Sequence, residues 1–451
     1  VAEPIISVSG LRGVVGQTLT PEVAVRYVAA FAATGPAGTI LVGRDSRPSG
    51  EMLAQAVHAA LRAGGHRTID LGICPTPTVG LLVRTYQATG AVGITASHNP
   101  PPYNGLKLFS NDGRVIPAAL GEKVLEHYRA GKASWARHDR IGSTSVCDDT
   151  TSAHLEAILA TVDVERIRNS GFTVLLDANH GAGGPLGRLL LEALGSKVTI
   201  LGETTDGQFD HKAEPTAENL ADVLPAVPQA GAEVGFCQDP DADRLAVIDA
   251  AGGYLGEEYT VAIIADHILR NRRGPVVTNC SSSRMTQTIA EGYDQRHFRS
   301  AVGEANVVDM MLAKDAVFGG EGNGGPIDPR VGMVRDSFVG MAQLLDAMAE
   351  RELSIRQLAD ELPRYAIIKT KIDLAPNRVA RGLDALEQHF DTARADRLDG
   401  LRLDWPNRWL LVRASNTEPI VRAVAEAPQQ EEAQRLCNEA ARVLGETRDK
   451  N

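Results

Sequence analysis

Three times along the chain, a short apolar run ends on a polar residue and passes through a turn rich in glycine or serine. An amphipathic helix follows, then a second apolar run. The first copy reads "GTILVGRDSRPSG" from Gly38, then "EMLAQAVHAALRAGG" and "HRTIDLG"; the second is "FTVLLDANHGAGG" from Phe172, "PLGRLLLEALG" and "SKVTILG". A fainter third runs "GPVVTNCSSSRM" from Gly274, "TQTIAEGY" and "DQRHFRSAVG". From the polar residue to the return run the separation is 23 residues (Asp45 to Thr68), 21 (Asp177 to Val198) and 19 (Asn279 to Phe298). Apolar β-branched runs alternating with helices predict strand-helix-strand units in a mostly parallel sheet. A chain of 451 residues is too long for one core. The expected fold is α/β, with three tandem related domains and mixed, mostly parallel sheets. The tail differs: "RYAIIKTKIDL", "GLRLDWPNRWLLVRASN" and "PIVRAVAEA" alternate polar and apolar residues before the helical "QQEEAQRLCNEAARVLGETR". It predicts a smaller α+β domain. The expected boundaries are 1–147, 148–251, 252–366 and 367–451.

Composition narrows the function classes. A net charge of −11 argues against a general nucleic-acid binder. An anionic small substrate fits only if arginine and lysine are concentrated locally. No apolar run reaches the ~18 residues that span a bilayer, and the opening "VAEPIISVSGLRG" does not read as a signal peptide. Cys74, Cys147, Cys237, Cys280 and Cys437 are widely spaced and contain no CxxC pair, as expected of reduced thiols in a cytoplasmic protein.

Four loops carry candidate chemistry. In "EVGFCQDPDADRLAVID", Asp239, Asp241 and Asp243 alternate between two apolar runs. Carboxylates so close repel unless a cation lies among them, and hard oxygen ligands suit Mg²⁺. The order of residues excludes an EF-hand, though an Asp-rich turn is the plainer alternative. Arg244 beside the triplet implies a bound anion as well. In "GITASHNPPPYNGLKLFS", Ser97 stands where a strand ends and is a candidate phosphoryl acceptor. A Ser-His-Asp hydrolase is the rival, but no G-x-S-x-G elbow surrounds Ser97. Strand alternation would also turn His98 to the opposite face. Lys107, after "YNG", is a candidate acid/base or phosphate contact. In "FGGEGNGGPID", glycines leave Glu321 and Asn323 as the side chains able to read sugar hydroxyls. The spacing is not that of a nucleotide loop. In "VRASNTEPIVR", Arg413, Ser415, Asn416, Thr417 and Arg422 supply donors suited to phosphate, although a helix cap would look similar.

Together these loops resemble the α-D-phosphohexomutase superfamily over essentially the whole chain and in the same order. "TASHNP" resembles its phosphoserine loop, "DPDADR" its Mg²⁺ loop, "GEGNGG" its sugar loop and "RASNTEP" its phosphate loop. "SGLRG" resembles an N-terminal segment that brings in Arg12. The resemblance implies four domains around a central cleft. It also implies a Ser97 phosphoserine that joins Asp239, Asp241 and Asp243 in holding Mg²⁺. The reaction implied is phosphoryl transfer between O6 and O1 of a hexose, through a hexose 1,6-bisphosphate. Arg12, His98, Lys107 and Arg244 would assist at Ser97. Glu321 and Asn323 would hold the sugar, and the C-terminal donors the idle phosphate.

Many bacterial relatives end the sugar loop in Ser-Gly-His, whereas Asn323-Gly324-Gly325 stands here. With "VGEANVV", this is more similar to phosphoglucosamine mutases of archaeal type. Glucosamine phosphate is therefore the expected substrate, with glucose or mannose phosphate the alternative. A serine-dependent sugar phosphatase and a silent sugar-phosphate binding protein are more distant readings. The expected partner is a hexose phosphate, with neither nucleic acid nor membrane, in a monomer or homodimer.

Overall fold

The computed structural model describes residues 3–7, 10–414 and 420–446. The first sheet contains β1 (Ile5–Ser7), β2 (Gly10–Val14), β3 (Thr39–Arg44), β4 (Arg67–Ile73), β5 (Gly90–Ile94), β6 (Tyr103–Phe109) and β7 (Thr144–Val146). Their order is β1-β2-β6-β5-β3-β4-β7. The β3-β4 unit of the first repeat is parallel, as are β3-β5 and β4-β7. The other three pairings are antiparallel, because β6 returns from β5 as a hairpin and carries β2 and β1 beyond it. This sheet is therefore evenly mixed rather than mostly parallel.

The second sheet contains β8 (Thr173–Asp177), β9 (Lys197–Leu201), β10 (Val234–Gln238) and β11 (Leu245–Asp249), in the order β11-β10-β8-β9. The third contains β12 (Val276–Asn279), β13 (His297–Ser300), β14 (Phe318–Glu321) and β15 (Gly325–Ile327), in the order β13-β12-β14-β15. The second and third repeats form the parallel pairs β8-β9 and β12-β13, so all three copies adopt the same unit. Each of these sheets ends in an antiparallel hairpin, β10-β11 or β14-β15. The hairpin tips bear the loop of Asp239, Asp241 and Asp243 and the glycine-rich loop around Glu321 and Asn323.

The fourth sheet contains β16 (Ala366–Asp373), β17 (Arg394–Asp396), β18 (Leu401–Asp404), β19 (Trp409–Ala414) and β20 (Ile420–Ala427). It is antiparallel throughout, in the order β16-β20-β19-β18-β17, and is covered by the helices Val379–His389 and Gln430–Glu446. The first of these helices and β17 are not evident in the sequence pattern. One apolar core runs continuously through the first three sheets; Leu82, Phe236, Val261 and Phe338 all belong to it. The fourth sheet has its own core and meets the third domain through Cys280, Trp409, Leu411 and Val424. Among the described residues, no helix is long and apolar enough to cross a membrane.

Candidate active site

β5 is buried over its whole length and runs straight into the Ser97 turn. Ser97 is itself buried, with φ 48, in the left-handed region that a non-glycine residue seldom adopts. Its Oγ donates to Asp239 Oδ2 at 2.7 Å, across the boundary between the first two domains. The left-handed turn also overturns the expectation for His98. Strand alternation does not apply once the backbone leaves extended geometry, and His98 Nδ1 lies 3.4 Å from Ser97 Oγ. Burial, then the charges of Arg244 and Arg12, lower His98 to about 2, so its ring is neutral. Arg12, on β2, donates to Asn99 Oδ1 at 3.2 Å and so stands over the same loop.

Lys107 returns through a strand rather than a flexible segment. "YNG" opens β6, which pairs Lys107 with Gly93 on one side and Gly10 on the other. Its ammonium reaches Asp243 Oδ2 at 2.9 Å and Asp241 Oδ2 at 3.2 Å. Burial opposes this charge, but Asp243 and Asp241 outweigh it and hold Lys107 protonated.

The carboxylate triplet occupies the tip of the β10-β11 hairpin, where Ala242 also has φ 55. Asp239, Asp241 and Asp243 are all buried, and one oxygen from each lies within 4.8 Å of the others. Asp239 Oδ1 caps the amides of Asp243 and Arg244 at 3.1 Å each. Burial and the neighbouring Asp241 and Asp243 push Asp239 well above the usual carboxylate range. Asp243 is pulled below it: burial works the other way, but Arg335, Lys107 and Arg244 prevail. The Oδ1 atoms of Asp241 and Asp243 are buried and have no hydrogen-bond partner. Orphaned carboxylate oxygens beside a third carboxylate and a hydroxyl fit a hard divalent cation. Arg244 stands at the rim, with Nε 3.9 Å from both Asp239 and Asp243 and Nη1 3.7 Å from Glu214.

Two supports of this loop are hidden in the sequence. Thr76, at the start of the helix Thr76–Thr85, donates its amide to Asp241 O at 2.9 Å and its hydroxyl to Asp241 Oδ2 at 2.6 Å. Arg335, also buried, bridges two loops: Nη2 donates to Asp243 Oδ2 and Nη1 to Glu321 Oε2, both at 2.6 Å. The "VRDS" segment around it shows no spacing signal. Only the ion-pair geometry identifies it.

The glycine loop is in part a hairpin, β14-β15. Gly324 has φ 82, and a Cβ there would stand 2.4 Å from Leu245 O. Glycine thus lets this loop lie against the strand leaving the carboxylate loop, where Leu245 N donates to Gly324 O at 2.9 Å. Glu321 is more committed than its sequence setting implies. Oε1 accepts from Asn279 Nδ2 at 2.7 Å and Gly303 N at 3.1 Å; Oε2 accepts from Arg335 and, at 3.5 Å, from Asn323 Nδ2. Asn323 Oδ1 is buried with no partner, so the amide, more than the carboxylate, has capacity to spare.

On the fourth sheet, Arg413 pairs across β19-β20 with Arg422, and Arg422 pairs across β16-β20 with Lys371. Directly opposed residues share a face, so three cations form a row. Asp399 pairs with Arg413 at 3.1 Å. The same face carries Leu411 and Val424 onto the third domain. Like charges in a row are unfavourable unless an anion joins them. Lys371 was not legible as a member, because strand register alone places it there. Ser415, Asn416 and Thr417 lie outside the described residues.

Sequence models of the four phosphoglucomutase/phosphomannomutase domains match residues 5–134, 152–253, 257–365 and 372–443 in order. The chain belongs to the phosphoglucomutase/phosphomannomutase family. It is 35% identical over 453 residues to a phosphoglucomutase/phosphomannomutase of Thermococcus kodakarensis, with 97% of each chain covered. It is 31% identical over 453 residues to a phosphoglucosamine/phosphogalactosamine mutase of Sulfurisphaera tokodaii, covering 96% of this chain and 98% of the relative. The crystal structure of a phosphoglucomutase/phosphomannomutase family protein from Burkholderia thailandensis superposes with TM-score 0.82 at 27% identity, over 98% of each chain. This family member is a phosphohexomutase-type isomerase, and its Asp239, Asp241 and Asp243 form a buried cluster able to hold a divalent metal ion.

Proposed function

We propose that this enzyme moves a phosphoryl group between O6 and O1 of glucosamine phosphate, through a phosphorylated Ser97 and a hexose 1,6-bisphosphate. The observation that carries the chemistry is Ser97 Oγ at 2.7 Å from Asp239, with Lys107 on the other two carboxylates. Ser97 and the three aspartates would hold Mg²⁺, which when bound offsets negative charge on the transferring group.

In the first half-reaction the phosphorus–oxygen bond at Ser97 breaks and a bond forms to the free sugar hydroxyl. The hydroxyl proton leaves as Ser97 Oγ takes back negative charge. Lys107, held protonated by two carboxylates, is the group we assign to give its proton to the departing Ser97 Oγ, and the proton of the sugar hydroxyl restores the ammonium. Neutral His98 offers Oγ a second hydrogen-bonding partner. Arg244 and Arg12 face the phosphoryl oxygens. The second half-reaction runs in reverse with the bisphosphate turned end for end. Throughout, the idle phosphate rests on Arg413, Arg422 and the Ser415–Thr417 segment, and Asn323 with Glu321 orients the sugar.

The amino sugar is favoured by Asn323-Gly324-Gly325 in the sugar loop and by the phosphoglucosamine/phosphogalactosamine mutase among the relatives. The phosphoglucomutase/phosphomannomutase relative supports the second reading, glucose or mannose phosphate. Turnover on glucosamine-6-, mannose-6- and glucose-6-phosphate, with free phosphate measured alongside, tests the assignment. The highest kcat/KM on glucosamine-6-phosphate is expected, with little phosphate released. A preference for a neutral hexose overturns the substrate. Stoichiometric phosphate release makes the enzyme a phosphatase.

A further inference from the structure

The Ser97 turn is held from behind by Arg47, which is 1% exposed and lies just after β3 in the first repeat. Its guanidinium donates to four carbonyls of that turn. Nη2 reaches Ser97 O at 2.7 Å and Asn99 O at 2.6 Å; Nη1 reaches Pro100 O at 3.1 Å and Tyr103 O at 3.3 Å. Nε donates to Asp45 Oδ2 at 3.1 Å, so all five N–H groups are used. The same carboxylate oxygen accepts from Thr95 Oγ1 at 2.7 Å, and Thr95 Oγ1 accepts the amide of Ser97 at 2.8 Å. Both ends of the strained residue therefore lead to the Asp45–Arg47 pair.

The second domain closes over this clamp. The ring of Phe209 stacks on the Arg47 guanidinium at 5.1 Å. Gly207, with φ +69, lies so close to Ser46 that a Cβ would stand 2.4 Å from its carbonyl oxygen. The Phe209 loop is anchored in turn at the end of β8. Asp177 Oδ2 bonds His211 Nε2 at 2.7 Å, and Asn179 Oδ1 accepts the amide of Asp210 at 2.9 Å. Asp45, directly after the first strand of the first repeat, and Asp177, at the end of the first strand of the second, thus brace two faces of one clamp.

We propose that Arg47, stacked by Phe209, is a positioning residue that aligns Ser97 Oγ with the metal carboxylates, so that a loop of the second domain sets the geometry of phosphoryl transfer. This rests on the reading of Ser97 as the phosphoryl carrier. Neither side chain touches reacting atoms, so their loss belongs in kcat and leaves KM unchanged. A cation–π contact is worth ~0.5–2 kcal/mol, or roughly 2- to 30-fold in rate. Lysine at position 47 has only three donors, and losing at least two bonds costs about 10- to 100-fold.

The test assays the full-length wild type as a mutase, then Phe209→Leu, Phe209→Tyr and Arg47→Lys. Steady-state kinetics are paired with single-turnover transfer from phosphorylated Ser97 to a hexose monophosphate. Phe209 is half-exposed, so Phe209→Leu tests the idea even if Arg47→Lys fails to fold. The expected result is a fall in kcat and single-turnover rate for Phe209→Leu at unchanged KM, with recovery in Phe209→Tyr. Wild-type rates in Phe209→Leu, a loss confined to KM, or a loss that tyrosine does not restore overturns the proposal. A wild type that forms no phosphorylated Ser97 brings down the carrier reading first, and this one with it.

Discussion

Arg335→Met removes the only guanidinium that joins the carboxylate loop to the glycine loop among the described residues, while keeping an unbranched apolar stem. Two charge-assisted bonds of 2.6 Å disappear, one to Asp243 and one to Glu321. Both carboxylates are buried and would lose their strongest compensating charge. Breaking a buried pair by removing one partner costs about 3–5 kcal/mol. Asp243 keeps Lys107 and Glu321 keeps Asn279, which places the loss toward the lower end. If the two loops must keep their relative position in the transition state, kcat/KM falls roughly 150- to 5000-fold. Arg335→Lys should recover part of this, since one ammonium cannot serve both carboxylates in the forked manner of arginine. The assay is coupled mutase kinetics beside thermal unfolding on the same samples. A methionine variant within about threefold of wild type in kcat/KM, with an unchanged melting temperature, refutes the claim that this bridge holds the site.

Asp241→Asn, which removes one of three clustered charges, should weaken Mg²⁺ binding by calorimetry, and chelation should stop wild-type turnover until Mg²⁺ is returned; activity after exhaustive chelation would show the carboxylates to be structural. Arg413→Ala should cost ~2–5 kcal/mol, or roughly 30- to 5000-fold in kcat/KM, and leak bisphosphate while Mg²⁺ affinity holds; near-normal kinetics with no released intermediate would remove the row of cations from the reaction. His211 is raised above its ordinary 6.5, because burial is outweighed by the hydrogen bond and charge of Asp177. Its stabilising contribution is therefore full below pH 6.5 and declines as pH rises through the raised value. The melting-temperature gap between wild type and His211→Asn should narrow above pH 6.5, and a gap that widens with pH would mean the imidazole is held neutral.

What was legible in the sequence is local. The three strand-helix-strand units and the alternating tail follow from periodicities of a few residues. The Asp239-Asp241-Asp243 triplet shows itself because its members are two residues apart. Arg335 meets its partners 92 and 14 residues away, and Thr76 meets Asp241 from 165 residues away, so neither carries a local signal. Arg47 lies two residues from Asp45, yet the carbonyls it grips begin 50 residues on. Lys371 joins Arg413 and Arg422 only through strand register. His98 departs from strand alternation for the same reason: the left-handed Ser97 turn is held by Arg47, 50 residues away, and meets Asp239, 142 residues away.

The central claim is that Ser97 carries the phosphoryl group, and one measurement addresses it directly. Wild type and Ser97→Ala are each incubated with a hexose 1,6-bisphosphate, and intact mass and peptide mapping are read before and after a hexose monophosphate is added. One phosphate is expected on the wild type, located at Ser97 and lost to the sugar on addition. None is expected on the alanine variant, which folds but has lost mutase turnover by several orders of magnitude. Mutase activity retained in Ser97→Ala, or phosphate mapped to another residue that transfers to the sugar, would overturn the role of Ser97.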